Sequence, residues 1–324
     1  MSLESVIGVG PKTAEKLVSG GISTVDELSV QRPQEVTSIL GCSVKAAKEM
    51  INSAKELAFQ DTTIYTAKEY GVKMKSLLRT FKTGSSKLDE LLGGGWRTMS
   101  TYGLFGPFHT GKTQLCNTAI VNCVADGKYA LFIETESNTF SSDRLIEIAK
   151  ATKVDIDLDK VILYPALQVG TVYAQFRGYE FLAKKAIENN WDVGVIVVDS
   201  FCAKFRRAFS GREMFPERAQ EFGRHLDFLE EMGKKFNAAI LLTLQVGVTP
   251  DDAGTKGDLM RYQSEYYPYG GTLVAHNVNT WLSLNQVKGG AKSTDVYEAN
   301  LADSSWLPKG SCQFIISDRG VEEF

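Results

Sequence analysis

Apolar residues along this chain follow two regimes. Through the first 58 residues they recur every three or four positions, in stretches such as KTAEKLVSG (12–20) and KAAKEMINSAKEL (45–57), a spacing that predicts short amphipathic helices. From residue 100 onward short continuous apolar runs take over: STYGLF (100–105), YALFIE (129–134), KVILY (160–164), VGVIVV (193–198) and AAILLTL (238–244). They alternate with helical stretches at 112–125, 171–189 and 214–236. Apolar strands separated by helices predict a mostly parallel sheet covered on both faces. TWLSL (280–284) and CQFII (312–316) read as later, antiparallel additions.

The expected fold class is therefore α/β, a mostly parallel core over residues 73–324 preceded by a small all-α domain over 1–58. Between them lies a linker over 59–72: FQDTTIYTAKEYGVKMKSLL (59–78) is polar, lacks a clear helical face and reads as this linker running on into a strand of the core. In the N-terminal domain, GVGPKTAEKL (8–17) and LGCSVKAAKEM (40–50) each place a glycine turn before an amphipathic helix. Backbone N–H groups around Gly8 and Gly10 can hold a DNA phosphate without reading base sequence. The same glycines also fit as plain helix stops.

Composition narrows the class. With 43% hydrophobic and 23% charged residues the chain is globular in character, and no apolar run is long enough to cross a bilayer, so no membrane partner is expected. MSLESVIGVG carries no basic start followed by a sustained apolar stretch, so no secretory leader is expected. Cys42, Cys116, Cys123, Cys202 and Cys312 are odd in number and never spaced as CxxC, which argues against a disulfide framework or zinc ribbon and for a reducing compartment. A formal charge of −3 means that any DNA binding must come from local patches.

The chemistry concentrates in GPFHTGKT, Gly106, Pro107, Phe108, His109, Thr110, Gly111, Lys112 and Thr113, with Gln114 following. It matches G-x-x-x-x-G-K-[ST] between an expected strand and an expected helix, the context in which that pattern cradles phosphates. Two glycines let the backbone curl, Lys112 suits the β- and γ-phosphates, and Thr113 suits Mg²⁺. VGVIVVDS ends in Asp199, a carboxylate at the sheet's C-terminal edge beside that metal. FIETES offers Glu134 and Glu136, on one face if the strand continues that far; spacing alone does not choose which would activate a water.

Taken in order, these blocks resemble the archaeal RadA recombinases of the RecA-like strand-exchange family. The likeness runs through TGSSKLDELLGGG (83–95), GPFHTGKTQ, IETESNTFSSDRL (133–145), VIVVDS, SGREMFPERAQEFGRHL (210–226), LLTLQV (241–246), GGTLVAH (270–276) and ADSSWLP (302–308). It implies a RecA-like P-loop ATPase core behind a helix-hairpin-helix domain. It also implies ATP and Mg²⁺ as cofactors, single- and double-stranded DNA as partners, and self-assembly into filaments in the cytoplasm of a prokaryotic cell, on its nucleoid. The activity implied is DNA-dependent ATP hydrolysis coupled to homologous pairing and strand exchange. The alternative is a paralogue that binds ATP and DNA but modulates a true recombinase.

Carried over residue by residue, the resemblance makes Glu136 the catalytic carboxylate, with Lys112 and Gln245 as catalytic partners, Gln245 sensing the γ-phosphate. Arg144 would stack on adenine, while His276 and Asp303 would reach a neighbouring subunit's ATP. The family's F-x-x-A docking strand corresponds to FQDT, Phe59 with Thr62, where the small apolar partner has become a hydroxyl. Other departures are Leu244-Gln245 in place of Asn-Gln, and Asn285 and Gln286 where basic residues are usual, leaving Lys288.

Two stretches are candidate DNA surfaces. KFRRAFSGREMFPER and its continuation hold Lys204, Arg206, Arg207, Arg212, Arg218 and Arg224, a phosphate track diluted by Glu213, Glu217 and Glu221. The long polar segment 247–271 carries Tyr262, Tyr266, Tyr267 and Tyr269 as base-stacking candidates, opposed by Asp251, Asp252, Asp258 and Glu265.

Overall fold

The structure, a computed structural model, describes residues 2–60, 64–166, 171–209, 211–247, 267–270, 277–287 and 295–324. The chain divides into two compact units, Met1–Lys75 and Ser76–Phe324.

In the first unit, helices α1 (Pro11–Ser19), α2 (Val25–Ser29), α3 (Pro33–Leu40) and α4 (Val44–Gln60) enclose a core in which Leu17, Leu28, Val36, Ala47 and Ala54 are fully buried. Turn chemistry separates them: Gly8 and Gly41 take positive φ, and Thr24 with Glu27 forms a capping box at α2. The polar stretch expected to be a linker instead contains α5 (Ala67–Leu77), none of whose residues is buried. Thr66 and Glu69 build this helix by capping, with Glu69 N–H on Thr66 Oγ1 at 3.2 Å and Thr66 N–H on Glu69 Oε2 at 2.8 Å. A helix with no buried stripe leaves no apolar periodicity to read.

The second unit begins with β1 (Thr80–Phe81), α6 (Ser86–Leu91) and β2 (Trp96–Arg97). Alternation follows: β3 (Ser100–Phe105), α7 (Lys112–Ala125), β4 (Tyr129–Glu134), α8 (Ser142–Thr152), β5 (Val161–Pro165), α9 (Val172–Glu188), β6 (Val193–Asp199), α10 (Ala203–Ala208), α11 (Phe215–Phe236) and β7 (Ala239–Leu244). After the short pair β8 (Val246–Gly247) and β9 (Tyr267–Pro268) come β10 (Thr280–Val287), β11 (Val296–Ser304), β12 (Gly310–Ser317) and β13 (Gly320–Glu323).

Among the described residues nine strands form one sheet in the order β13-β12-β11-β10-β3-β7-β6-β4-β5. The run from β10 to β5 is parallel throughout, and β11, β12 and β13 extend it antiparallel. TWLSL, expected to be antiparallel, therefore joins β3 in parallel, Leu282 beside Leu104, and is antiparallel only to β11. Its five residues are all buried, as suits a strand inside the sheet. CQFII is antiparallel as expected.

Period-two alternation sorts the strand side chains into two cores. Ile133, Ile196, Val198, Ile240 and Leu242 pack with α9 and α11, whereas Phe132, Val195, Val197 and Leu241 pack with α7 and α8. The parity that puts Leu241 and Val197 on the α7 face carries Thr243 and Asp199 to the same face, where the candidate chemistry lies.

Candidate nucleotide-binding site

A cavity of about 660 Å³ opens at the C-terminal ends of β3, β6 and β7, the crevice in which open α/β sheets hold ligands. Gly106 to Gln114 form one wall. A Cβ on Gly106 would sit 2.1 Å from the Leu284 carbonyl oxygen, and one on Gly111, where φ is 88°, would meet Ile316 Cδ1 at 2.7 Å. Only glycine lets the loop turn here while pressed against β10 and β12. Thr110 is buried and donates to Pro107 O at 2.9 Å, bracing the turn from inside. Phe108 and His109 are exposed at its tip, His109 at φ 64°.

Lys112 opens α7 and folds over the loop, its Nζ donating to Gly106 O at 2.9 Å, Pro107 O at 2.6 Å and Thr110 Oγ1 at 3.2 Å. Burial lowers its pKa to about 8, against the pull of Asp199 and Glu136. A cation so placed beside a helix N-terminus makes the wall receptive to phosphate.

Thr113 and Asp199 meet across the floor. Asp199, at the end of β6, is 4% exposed; its Oδ2 accepts from Thr113 Oγ1 at 2.7 Å and its Oδ1 from Thr243 Oγ1. Burial raises its pKa, and the two hydroxyls and Lys112 oppose that rise. A hydroxyl beside a carboxylate is the hard oxygen pair that suits Mg²⁺, which takes few protein ligands and completes its shell with water and phosphate oxygens. Among the described residues no group of three or more His, Cys, Asp or Glu side chains could hold a metal by itself.

The structure separates the two glutamates. β4 ends at Glu134, so the strand does not continue to Glu136 and the shared face disappears. Glu134 is buried and its Oε1 accepts from Thr139 N–H at 3.1 Å and Phe140 N–H at 3.2 Å, which ties down the turn. Glu136 lines the cavity, half-buried. Burial and then Asp199 push its pKa up; Arg207, Arg206 and Lys112 pull it back. Gln245, just past β7, donates from Nε2 to Glu136 Oε1 and accepts at Oε1 from Arg206 Nη1. Leu244 before it is fully buried.

At the cavity's other side Arg144 donates from Nε to Gln114 Oε1 at 2.9 Å, from Nη1 to Glu147 Oε2 at 2.5 Å and from Nη2 to Ser317 O. Tyr297 and Ile316 complete that wall. Sequence reasoning missed Thr243, Tyr297 and Ile316 and gave Arg206 only to DNA. Alternation along LLTLQV puts Thr243 and Gln245 on one face and was the available signal; β11 and β12 had none as strong. Asp303 lies on β11 and does not line this cavity. His276, Lys288, Thr62 and the side chain of Phe59 lie outside the described residues, as do Tyr262, Tyr266 and the side chains of Tyr267 and Arg212.

The basic cluster is not one surface. Arg207 is exposed at the end of α10, but Lys204 is buried. Arg218, expected on the phosphate track, is 9% exposed, donates to Tyr269 Oη at 2.8 Å and lies over the Phe215 and Tyr269 rings. Tyr269, a base-stacking candidate, is itself buried. Both are corrections with one cause: an arginine can bury its guanidinium against aromatic faces when its donors are met. Arg224 is exposed, stacked 4.0 Å over Phe176 and paired with Glu221 at 3.8 Å. Gly8 and Gly10 are exposed, Gly10 at the N-cap of α1.

The Rad51 family profile matches residues 74–324, and that of the SAM-like helix-hairpin-helix tandem matches residues 1–56. A DNA repair and recombination protein RadA of Ignicoccus hospitalis is 31% identical over 334 residues, covering 99% of this chain and 95% of the relative. Another protein of that description, from Aeropyrum pernix, is 31% identical over 324 residues, covering 98% and 95%.

Proposed function

Because the chain belongs to the Rad51 family, among the RecA-like recombinases of archaeal RadA type, we propose that its cavity holds ATP and that hydrolysis there serves DNA recombination and repair. The observation that carries this reading is the meeting in one cavity of Lys112, the Thr113–Asp199 pair and the Glu136–Gln245 pair.

Lys112 presents its ammonium to the phosphates from a loop that already fixes its direction. Thr113 and Asp199 would hold Mg²⁺, which supplies charge neutralisation on the phosphate oxygens. Glu136 orients the attacking water and takes its proton, and Gln245 holds that carboxylate by one oxygen. Arg144, Gln114, Tyr297 and Ile316 form the wall for the base.

The DNA-binding reading rests on exposed Arg207, on Arg212 and Arg224, and on the Gly8–Gly10 turn, while Arg218 leaves the set. Self-assembly through Phe59 and Thr62 is supported by the sheet's edge at β5, where Leu163 is 37% exposed and Phe181 of α9, near Tyr164, is 52% exposed. His276 and Asp303 would then face a neighbour's nucleotide. Among the described residues no helix is long and apolar enough to cross a membrane, and we place the work in the cytoplasm, on the nucleoid.

ATP turnover, measured with and without single-stranded DNA, tests the site. Turnover rises with DNA and is abolished in Lys112→Ala; normal hydrolysis by that variant would overturn the reading.

A further inference from the structure

Gln245 sits between a group that can only accept and a group that can only donate. An ionised Glu136 has no proton to give, and Arg206 has no lone pair to offer. A side-chain amide between them satisfies both in one orientation alone, Nε2 toward the carboxylate and Oε1 toward the guanidinium, and that is the arrangement present. Turned by half a rotation it would set two acceptors against each other.

We propose that Arg206 is a positioning residue for hydrolysis, fixing the direction of the Gln245 amide and thereby the donor that holds Glu136. The proposal rests on the nucleotide reading of the cavity. Arg206 lies on α10 and lines the same cavity. It is held from a third side: its guanidinium carbon is 5.3 Å from the centre of the Tyr269 ring, and Tyr269 N–H donates to Gln245 O at 3.0 Å. Arg206, Gln245 and Tyr269 thus close a ring of three contacts, through side chain, backbone and aromatic face. Arg218 Nη1, on Tyr269 Oη at 2.8 Å, anchors that ring from α11. Such support around a reacting group is what keeps it within the narrow geometry catalysis needs.

The test is steady-state ATP hydrolysis by the full chain without DNA, so that any contact of Arg206 with a phosphate backbone stays out of the measurement. Arg206→Met keeps the stem and removes every donor. It lowers kcat about tenfold with KM unchanged. Arg206→Lys, which restores a donor-only group, recovers much of the loss. In the double variant Arg206→Met/Gln245→Ala the rate stays close to that of Gln245→Ala alone, since Arg206 acts chiefly through the amide, its direct pull on the Glu136 charge being the lesser route.

Full turnover in Arg206→Met would overturn the proposal. So would losses that multiply in the double variant, or a lysine variant no better than methionine at equal Tm. Lys112→Ala separates the two levels: if it hydrolyses normally, the nucleotide reading itself fails. If it is inactive while Arg206→Met runs at full rate, only the role of Arg206 fails.

Discussion

Glu134 and Glu136 lie two positions apart and do different work. The first is a buried acceptor for two backbone N–H groups; the second stands in the cavity beside Gln245. Glu136→Gln should lower kcat by about 100-fold or more with little change in Tm, as for loss of a group that handles the water's proton. Glu134→Ala should show up instead in urea unfolding, as a loss of about 1 kcal/mol from two half-buried donors left without their acceptor. Their difference was not legible in FIETES, because it depends on where β4 stops. Arg218 is a similar case: its charge was visible in the sequence, its burial against Tyr269 was not.

At the scale of elements, α9, α10 and α11 meet through an aromatic cluster that encloses His225. Its ring lies 5.1 Å from Phe176 and 4.9 Å from Phe205, centre to centre, and its Nδ1 is 3.4 Å from Tyr179 Oη. Burial, with Arg224 acting in the same direction, pulls its pKa from 6.5 down to about 3. The unfolded chain therefore binds a proton that the folded chain refuses. Its contribution to stability is whole above pH 6.5 and is lost as pH falls toward 3, at up to about 1.4 kcal/mol per pH unit. Urea unfolding at pH 5 and pH 7 should show that slope, and His225→Phe should flatten it.

The central strands and the helices α7, α9 and α11 were legible within a residue or two, because continuous burial leaves continuous apolar runs, whereas α8 and α10 were not read. β11 was not: VYEANLADS mixes Glu298 and Asn300 into its length, as an antiparallel strand toward the sheet's end can. Nor was α5, made by its cap rather than by packing. The tight turn from Gly106 to Gly111 was plain from its glycines. The Asp199–Thr243 contact required knowing that β6 and β7 are neighbours.

Across the whole molecule a net charge of −3 leaves DNA affinity to local arginines, so their loss should register as changes in salt dependence. In a salt series with single-stranded DNA, Arg207→Ala should reduce the slope of log K against log salt by about 0.7 for a lost phosphate contact. Arg218→Ala should leave the slope alone and lower Tm, as suits a guanidinium spent inside the fold.

The Gly106–Thr113 loop and the helix after it lean on strands that come much later in the chain: Gly106 packs on β10, Gly111 on Ile316 of β12, and Val321 N–H of β13 reaches Thr118 of α7 at 3.1 Å. A nascent polypeptide still lacking β11, β12 and β13 on the ribosome would already carry the whole GPFHTGKT stretch, with β10 beside Gly106 but without the support of Ile316 at Gly111 and of Val321 at α7. The packing that holds this turn is then among the last parts of the domain to be completed during its synthesis.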